Sequence, residues 1–534
     1  MRRSAQRALL YSAYVCTCLE DRGWSFAISL CMQLLGGMQL VSIEQLAEGL
    51  AQIGFSGFVG RAVDMRSERK WGMIMCLMGN NFSIIASSIL FAVCLSIDRT
   101  IWVYTLCLLL GMIFCSSYRV FVMAEKNLSA RDWALVLVNE EKGEGRNLAK
   151  TNAILTTLDQ IANILSPLLL GALLSFVPLR TACIVLAIFS VVSLIIKGIL
   201  LFVLYGSNER LRVKGDAEAK SEEQGDTTKS LDAKPSPSLL KRLSTIFTVL
   251  ATYYRQSVFP AALGMALLFM TVLGFDGLAI GYGESVGLPE SILGLFRSFG
   301  SAAGVAGAIM YAVFERRFGV CKTGVIGLML QELCLIIAVA SIWLPGSPWD
   351  PAAYFSTLTW SSWWQSFIDS FAPSPDSPTA SPPPPSTIDW STWTTSDGTS
   401  VASIFSFLTG IATARFGLWM ADLAITHIMQ IATPESQRNT VFGVHNAICQ
   451  AFSVMKDLLV IILPSPNTFG ICILISFGFV CSGFGAFIYY ILKTSHIEEK
   501  QTLIERKPTV TSNEESSKGA YFNDSVSDTI IEKL

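Results

Sequence analysis

The sequence has little charge. Of its 534 residues, 39 are Lys or Arg and 41 are Asp or Glu, which together make up 15% of the chain. Ordinary soluble domains carry about 25% charged residues. Hydrophobic residues account for 51%, and the mean hydropathy is positive. This composition excludes an ordinary soluble protein and predicts an integral membrane protein.

Features that mark several other protein classes are also missing. The sequence shows no nucleophile–base set, phosphate-binding loop or metalloprotease helix, so we expect neither an enzyme nor a bound cofactor. It has no basic stripe that would bind nucleic acid, and its formal net charge is −2.

The thirteen cysteines are not arranged as a disulfide framework. Most lie in apolar segments, for example Cys76, Cys107 and Cys183, and none falls in the long loop at 345–400. We therefore interpret them mostly as apolar helix residues.

Long apolar runs dominate the chain. Segments of about 20 apolar residues, each long enough to cross a bilayer, recur from end to end. We interpret about twelve of them as transmembrane helices by this length criterion, near 8–35, 38–60, 71–95, 100–124, 150–176, 179–205, 258–284, 289–314, 320–344, 401–428, 435–463 and 467–492. Lys and Arg cluster in alternate loops, so the positive-inside rule places both termini in the cytoplasm.

Two long loops divide the chain. The charged, Pro- and Ser-rich segment 206–245 predicts a disordered cytoplasmic linker. It separates an N-terminal six-helix half, 1–205, from a C-terminal six-helix half, 246–493. The 345–400 loop is rich in Pro, Ser and Trp and lacks Lys and Arg, so we expect it outside the cell with its tryptophans at the membrane interface. We expect residues 494–534 to form a disordered cytoplasmic tail.

The apolar run at 268–285 contains an acid, Asp276, and four glycines that surround or follow it. A charge in hydrocarbon is costly, and glycine loosens the helix around it. Broken helices occur where the backbone is covered by protein or lines a cavity. We therefore predict a broken seventh helix at a translocation site.

The loop after the second span carries Gly60, Asp64, Arg66 and Arg69. Their arrangement resembles the GxxxD…R/K loop of the major facilitator superfamily, in which an acid and bases latch the cytoplasmic gate. The alternative is a positive-inside loop whose acid caps a helix. The spacing favours the latch.

Several longer motifs resemble the ferroportin family, solute carrier family 40. They cover nearly all the spans but neither the two long loops nor the tails. The matching stretches are EDRGW at 20–24, RDW at 131–133, LAKTNAILTTLDQIANILSP at 148–167, 253–282, LPGSPWD at 344–350, GLWMADL at 417–423 and LPSPNTFG at 463–470. The resemblance implies a major facilitator fold, export of ferrous iron or another divalent cation across the plasma membrane, and proton coupling.

The resemblance also locates the family's metal ligands, and this chain departs from most of them. In the N-half the family uses an Asp, here Asp21, and a His four residues later, here Ser25. In the C-half it uses a Cys beside the broken-helix Asp276 and a His in the eleventh span. Those positions hold Gly277 and Lys456.

A further cation site of the family uses the same Asp, amides in the third span, and an Asn and a Glu in the sixth span. Asn80 and Asn81 match the amides, whereas Ser190 and Lys197 replace the other two. Lys⁺ has donors and no lone pair, so it repels a cation instead of binding it. We hypothesise that Lys197 pairs with Asp21 as a built-in counterion, and that Lys456 pairs with Asp276 or Asp457.

Other polar residues of the spans are candidates for gating or helix packing rather than ligation. Arg415 and Asp422 are seven residues apart on one helix face and match the family. A metal role for His427 or His445 is the less favoured interpretation. The remaining gating candidates are Asp159, Gln160 and Asn163.

Three functions remain open from the sequence. The first is an iron exporter of the plasma membrane, with a weak sorting pattern at 499–504 that suggests traffic through endosomes. The second is a divergent transporter of another substrate, because the family's soft ligands are gone. The third is a non-transporting receptor or scaffold. A hepcidin-type peptide partner, which the family resemblance would imply, is not expected because Gly277 and Lys456 replace the residues of that response.

Overall fold

The computed structural model describes residues 3–64, 68–138, 144–211, 250–251, 253–372, 388–395 and 398–505. These residues are almost all helical. The strands in the described ranges are β1 (Ile388–Asp389) and β2 (Thr394–Thr395), which pair antiparallel in the long loop. Short 3₁₀ turns lie at Glu209–Leu211, Ser341–Trp343 and Pro466–Thr468.

The helices follow the predicted apolar runs. The N-half contains α1 (Arg3–Asp64), α2 (Arg69–Cys94), α3 (Trp102–Asn127) with a π-helical turn at Leu128–Trp133, α4 (Ala134–Val138), α5 (Glu144–Leu174) and α6 (Leu179–Ser207). The C-half contains α7 (Phe259–Leu267), α8 (Gly277–Ser285), α9 (Glu290–Phe318), α10 (Val320–Ala340), α11 (Pro351–Thr357), α12 (Trp360–Asp369), α13 (Ala402–Ala432), α14 (Glu435–Ile462) and α15 (Phe469–Glu505).

Helix α1 contains the first two predicted spans joined at a kink. Gly36 and Gly37 lie inside it with non-helical backbone angles, and Gly37 has a φ of +69°. Because side chains with a Cβ rarely adopt this left-handed conformation, glycine is needed where the chain turns.

The seventh span is broken, as predicted. Helix α7 ends at Leu267 and α8 begins at Gly277. Within the break, the Val272 N–H donates to Ser476 Oγ at 2.9 Å. The Asp276 carboxylate accepts from the N–H groups of Leu278 at 3.0 Å and Ala279 at 3.4 Å, and so caps α8. Neighbouring protein groups therefore satisfy part of the exposed backbone, which a helix break at membrane depth requires.

Ten helices in the described ranges are long and apolar enough to cross a membrane. One of them is α1, which covers two predicted spans, whereas the two pieces of the broken seventh span are each too short to qualify. The count of twelve and the cytoplasmic location of both termini stay predictions. Outward-facing side chains of α6 recur every three or four residues and form an apolar stripe suited to lipid, at Ile184, Ile188, Val192, Ile195, Ile199 and Phe202.

The predicted loops are only partly described. Most of the 206–245 linker lies outside the described residues, as does the tail beyond Glu505, and α15 runs past the expected boundary at 493. The 345–400 loop contains α11, α12 and the two strands. On α12 the indole N–H of Trp363 donates to the Ile462 carbonyl at 3.1 Å, which holds this helix against the end of α14.

The two halves meet along two seams. Helix α1 packs against α8 and α14, and α5 packs against α9. In the second seam Ser298 Oγ donates to the Ile164 carbonyl at 2.7 Å. A Cβ built on Gly294 would lie 2.5 Å from the Pro167 carbonyl oxygen, so the close approach of these helices depends on glycine.

Close helix packing that depends on glycine also occurs within the C-half, where α10 and α13 lie against each other, and it can be tested there. A Cβ on Gly417 would lie 2.3 Å from the Gly327 carbonyl oxygen. We expect Gly417→Val to lower the thermal unfolding temperature of the purified protein, because overpacking of this kind costs about 1–3 kcal/mol. The control is Gly478→Val on α15, where a Cβ meets no atom within 4 Å. Equal melting temperatures for the two variants would contradict the packing argument.

Candidate functional site

A polar cavity of about 300 Å³ lies where the two halves meet. Side chains and backbone of α1, α3, α8, α9 and α14 line it, so both seams contribute. Ionisable groups dominate its wall, namely Arg22, Glu44, Glu48, Arg119, Asp276, Arg297, Lys456 and Asp457. We call it the central cavity.

On the C-half side, a lysine occupies the position where the family places a His. Lys456 Nζ lies 2.5 Å from Asp276 Oδ2 and 3.3 Å from Asp457 Oδ1. The predicted pairing of Lys456 with these acids is therefore present. Asp276 also caps α8 through its other oxygen, so both of its carboxylate oxygens are engaged by donors.

The Gln45 side chain occupies the space beside Gly277, the position where the resemblance places the family's Cys. A Cβ built there would lie 2.1 Å from Gln45 Nε2 and 2.7 Å from Ser29 Oγ. With its amide oriented to satisfy both neighbours, Gln45 accepts from the Gly277 N–H at 2.9 Å and donates to Asp457 at 3.2 Å. The space that a cysteine side chain would take is filled by this glutamine.

On the N-half side, the hypothesis that Lys197 pairs with Asp21 is wrong. Lys197 is fully buried, and its Nζ lies 2.7 Å from Glu20 and 3.4 Å from Glu125. Asp21 is the next residue after Glu20. Because consecutive residues on a helix point in directions about 100° apart, the two acids face different neighbours.

Polar groups complete the Lys197 cluster. Asn80 Nδ2 donates to Glu125 at 2.7 Å, and Thr17 Oγ1 donates to the same carboxylate at 2.5 Å. Ser190 donates to Glu20 and lies 3.2 Å from Asn81 Oδ1. The four predicted residues Asn80, Asn81, Ser190 and Lys197 thus meet, but around Glu20 and Glu125.

Asp21 lies in a separate ionic network. Lys126 Nζ lies 2.7 Å from Asp21 Oδ2, Arg119 lies 3.4 Å from Oδ1, and Tyr118 donates to Oδ1 as well. Asp159 joins the network through Lys126 at 2.9 Å and Arg22 at 2.7 Å. Only 3% of the Asp21 side chain is exposed, so in this conformation it has no oxygen open to a metal ion.

Ser25, at the family's N-half His position, contacts a cation. Arg297 Nη2 of α9 donates to Ser25 Oγ at 3.1 Å, and its guanidinium carbon lies 5.7 Å from the centre of the Phe26 ring. Arg297 Nη1 is buried without a hydrogen-bond partner among the described residues. The positive charge of Arg297 therefore lies beside Ser25, as the charges of Lys456 and Lys197 lie at two other ligand positions that the resemblance implies.

The gating candidates are dispersed. Arg69 Nε donates to both oxygens of Asp132, at 2.9 and 3.1 Å, which links α2 to the π-turn after α3. Gly60 lies near the end of α1, and Asp64 is its last residue. Arg66 lies outside the described residues, so the latch as a whole stays a prediction.

The other polar candidates have varied surroundings. Arg415 and Asp422 both lie on α13, and within the described ranges neither makes an ion pair within 4.0 Å. Gln160 and Asn163 lie on α5, close to Asp159 in sequence. The two candidate histidines contact tyrosines. Tyr253 Oη lies 3.2 Å from His445 Nδ1, and Tyr311 Oη lies 2.8 Å from His427 Nδ1.

Among the residues that sequence reasoning missed, Glu20, Glu125 and Lys126 hold the two N-half clusters together. All three lie within or at the end of apolar runs, and ionisable residues there are functional or structural candidates by default. That signal was present in the sequence. The sequence did not show how these residues pair, because the pairing depends on how α1, α3 and α6 are rotated against one another.

The buried lysine gives a direct test of the Lys197 cluster. Lys197→Met leaves two buried acids without their cation, and removing one partner of a buried ion pair costs about 3–5 kcal/mol. We expect a strong loss of thermal stability for the purified variant, partly restored by adding Glu20→Gln. Lys493→Met on α15, where the lysine is exposed, serves as the control. Equal stability of the two single variants would show that the cluster is not structural.

Comparison with known proteins agrees with this architecture. The chain is similar over its length to ferroportin of Canis lupus familiaris, at 28% identity covering 92% of each chain. Ferroportin of Homo sapiens is 27% identical, with 90% of each chain covered. Solute carrier family 40 member 2 of Arabidopsis thaliana is 26% identical, covering 88% of this chain and 86% of its own.

Solved structures show the same fold. A bacterial homologue of the iron transporter ferroportin in an inward-facing state matches with a TM-score of 0.66 at 17% identity, covering 92% of this chain and 99% of its own. A peptide transporter of the POT family matches with a TM-score of 0.53 at 12% identity, covering 91% and 93%. These neighbours have a major facilitator type of fold and are transporters, not enzymes.

The family model described as Ferroportin1 (FPN1) matches residues 4–480, which include both halves and every helix that lines the central cavity. The chain therefore belongs to the ferroportin family.

Proposed function

We propose that this protein exports ferrous iron, or another divalent cation, from the cell by alternating access. The central cavity carries the proposal: it lies between the two halves, it is polar, and acids from both halves line it. A cavity at the interface of two repeats, next to a discontinuous helix, is the usual place for substrate in transporters of this type.

The relatives support the choice of substrate. The curated relatives are ferroportins, and solved neighbours include a bacterial metal transporter and a bacterial ferroportin homologue with soaked iron. Ferrous iron accepts carboxylate and thiolate ligands as well as imidazole, so the loss of the family's His residues does not by itself exclude it.

The fold suggests how the cavity would change its access. Two helix interruptions lie in the same seam: the kink at Gly36–Gly37 in α1 and the non-helical segment 268–276 before α8. Interruptions of this kind act as hinges. One half can then rotate against the other with little movement of the helix ends. We propose protons as the coupling ion, because buried acid–base pairs such as Asp21–Lys126 would be rearranged by that motion.

A second candidate is transport of a different substrate. Three positions that hold metal ligands in the family carry or contact a fixed cation here: Lys456, Lys197 and, beside Ser25, Arg297. Such charges favour an anionic or zwitterionic group over a metal ion.

We propose a plasma-membrane location with cycling through endosomes, on the basis of the family and the pattern at 499–504. Block by a hepcidin-type peptide is not part of the proposal. The positions that would support it are Gly277, which Gln45 crowds, and Lys456, which is paired with Asp276.

Flux through proteoliposomes tests the function. We expect the purified protein to move Fe²⁺, and Co²⁺ or Zn²⁺ in competition with it, faster under an imposed proton gradient. Asp21→Asn removes the shared anion of three cationic contacts. Its initial Fe²⁺ flux should fall at least about tenfold, which corresponds to roughly 1.4 kcal/mol in the rate-limiting barrier.

Asp98→Asn is the matched control, because Asp98 is an exposed acid in the turn between α2 and α3. It should leave flux unchanged. Absence of Fe²⁺ flux in either direction, at any proton gradient, would reject the metal-export proposal and favour the second candidate.

A further inference from the structure

Two neighbouring acids of the central cavity are less fully neutralised by lysine or arginine than the others. Glu44 makes no ion pair within 4.0 Å in the described part of the chain, and Glu48 has one, with Arg119 at 3.8 Å. Arg119 is shared with Asp21, at 3.4 Å. Glu44 is only 3% exposed, and a buried acid beside a second acid is stabilised by a positive charge or a proton.

A thiol completes the group. Cys115 of α3 is fully buried, and its Sγ lies 3.3 Å from Glu44 Oε1 and 3.6 Å from Glu48 Oε1. One donor atom from each of the three residues lies within 4.8 Å of the others. Glu44 and Glu48 are four residues apart on α1, so they project from the same face of the helix toward α3.

The spacing of these atoms suits a metal ion. A tetrahedral ion bound to oxygen at about 2.1 Å and to sulfur at about 2.3 Å holds its ligand atoms roughly 3.4–3.7 Å apart. The two S···O separations therefore need only small adjustment. Glu44 and Glu48 also line the central cavity, which gives an ion a route to the group.

A separate observation concerns the sulfur. The indole of Trp24 is fully buried, and its N–H has no hydrogen-bond partner among the described residues. This unpaired N–H lies beside the Cys115 thiol. A buried polar group beside a sulfur is of the kind that orients ligands around metal sites.

We propose that Glu44, Glu48 and Cys115 form a divalent-metal site in the wall of the central cavity, at a place different from the family ligand positions that this chain has lost. The site deepens the proposed transport function and rests on it for the role of the metal as cargo. A thiolate with two carboxylates selects borderline ions such as Fe²⁺, Co²⁺ and Zn²⁺ over Mg²⁺ and Ca²⁺. Three protein ligands leave coordination positions for water, as release of a cargo requires.

Cobalt spectroscopy on the detergent-purified full chain tests the site without any transport. We expect Co²⁺ to give near-ultraviolet thiolate-to-cobalt charge-transfer absorption that Zn²⁺ displaces and Mg²⁺ does not. Cys115→Ser should abolish that absorption. Glu48→Gln should keep the band and weaken Co²⁺ binding by more than about tenfold, the lower range for disturbed metal sites.

Cys94→Ser is the matched control. Cys94 is also buried, but its thiol donates to the Tyr104 carbonyl oxygen and does not contact an acid. This variant should keep the wild-type spectrum. A wild-type protein without the band, or a folded Cys115→Ser variant that retains it, overturns the proposal. If Cys115→Ser does not fold, undiminished Co²⁺ affinity in Glu48→Gln overturns it instead.

The cobalt spectra test the metal site, and the flux assay tests the transport function, so a negative result in one does not imply a negative result in the other. A band without Fe²⁺ flux leaves the site standing and rejects its role in transport. Flux without a band rejects this site and leaves the export function standing.

Discussion

The cost of holding charge in an apolar environment organises this molecule. Three acids around the candidate site are each held by a basic side chain: Glu20 by Lys197, Asp21 by Lys126, and Asp276 by Lys456. Removing an ion from water costs several kcal/mol unless an opposite charge and hydrogen bonds replace the solvent. The positions of the helices around the cavity therefore follow from which acid each cation must reach.

The ion pairs change which ligands the acids near the cavity can bind, whereas the arrangement of the helices is that of the family fold. Ammonium and guanidinium groups of the chain itself neutralise these acids. The broken helix before α8 persists, and Asp276 now serves as its cap and as the partner of Lys456. On α1, Glu44 makes no ion pair among the described residues and Glu48, one turn further on, pairs with Arg119 at 3.8 Å; both lie beside Cys115.

The kink in α1 and the contacts between the two halves depend on small residues and on the 345–400 loop. Gly36 and Gly37 let α1 turn, and close contact of α5 with α9 depends on Gly294. At the end of the bundle near this kink, Ser370 donates to Gln39 at 3.2 Å and Trp363 donates to Ile462 at 3.1 Å. Helix α12 therefore contacts both halves, and any rocking motion between them has to rearrange those contacts.

The sequence alone determined the helical membrane fold, the broken seventh span and the family, because apolar runs, glycine positions and local motifs are properties of neighbouring residues. It also predicted that Lys456 pairs with Asp276 or Asp457, and the structure has both contacts. Only the tertiary structure decided that Lys197 contacts Glu20 and not Asp21, and that Cys115 meets Glu44 and Glu48. Those contacts depend on helix rotation and on the packing of α1 against α3, which residues far apart in the chain set together.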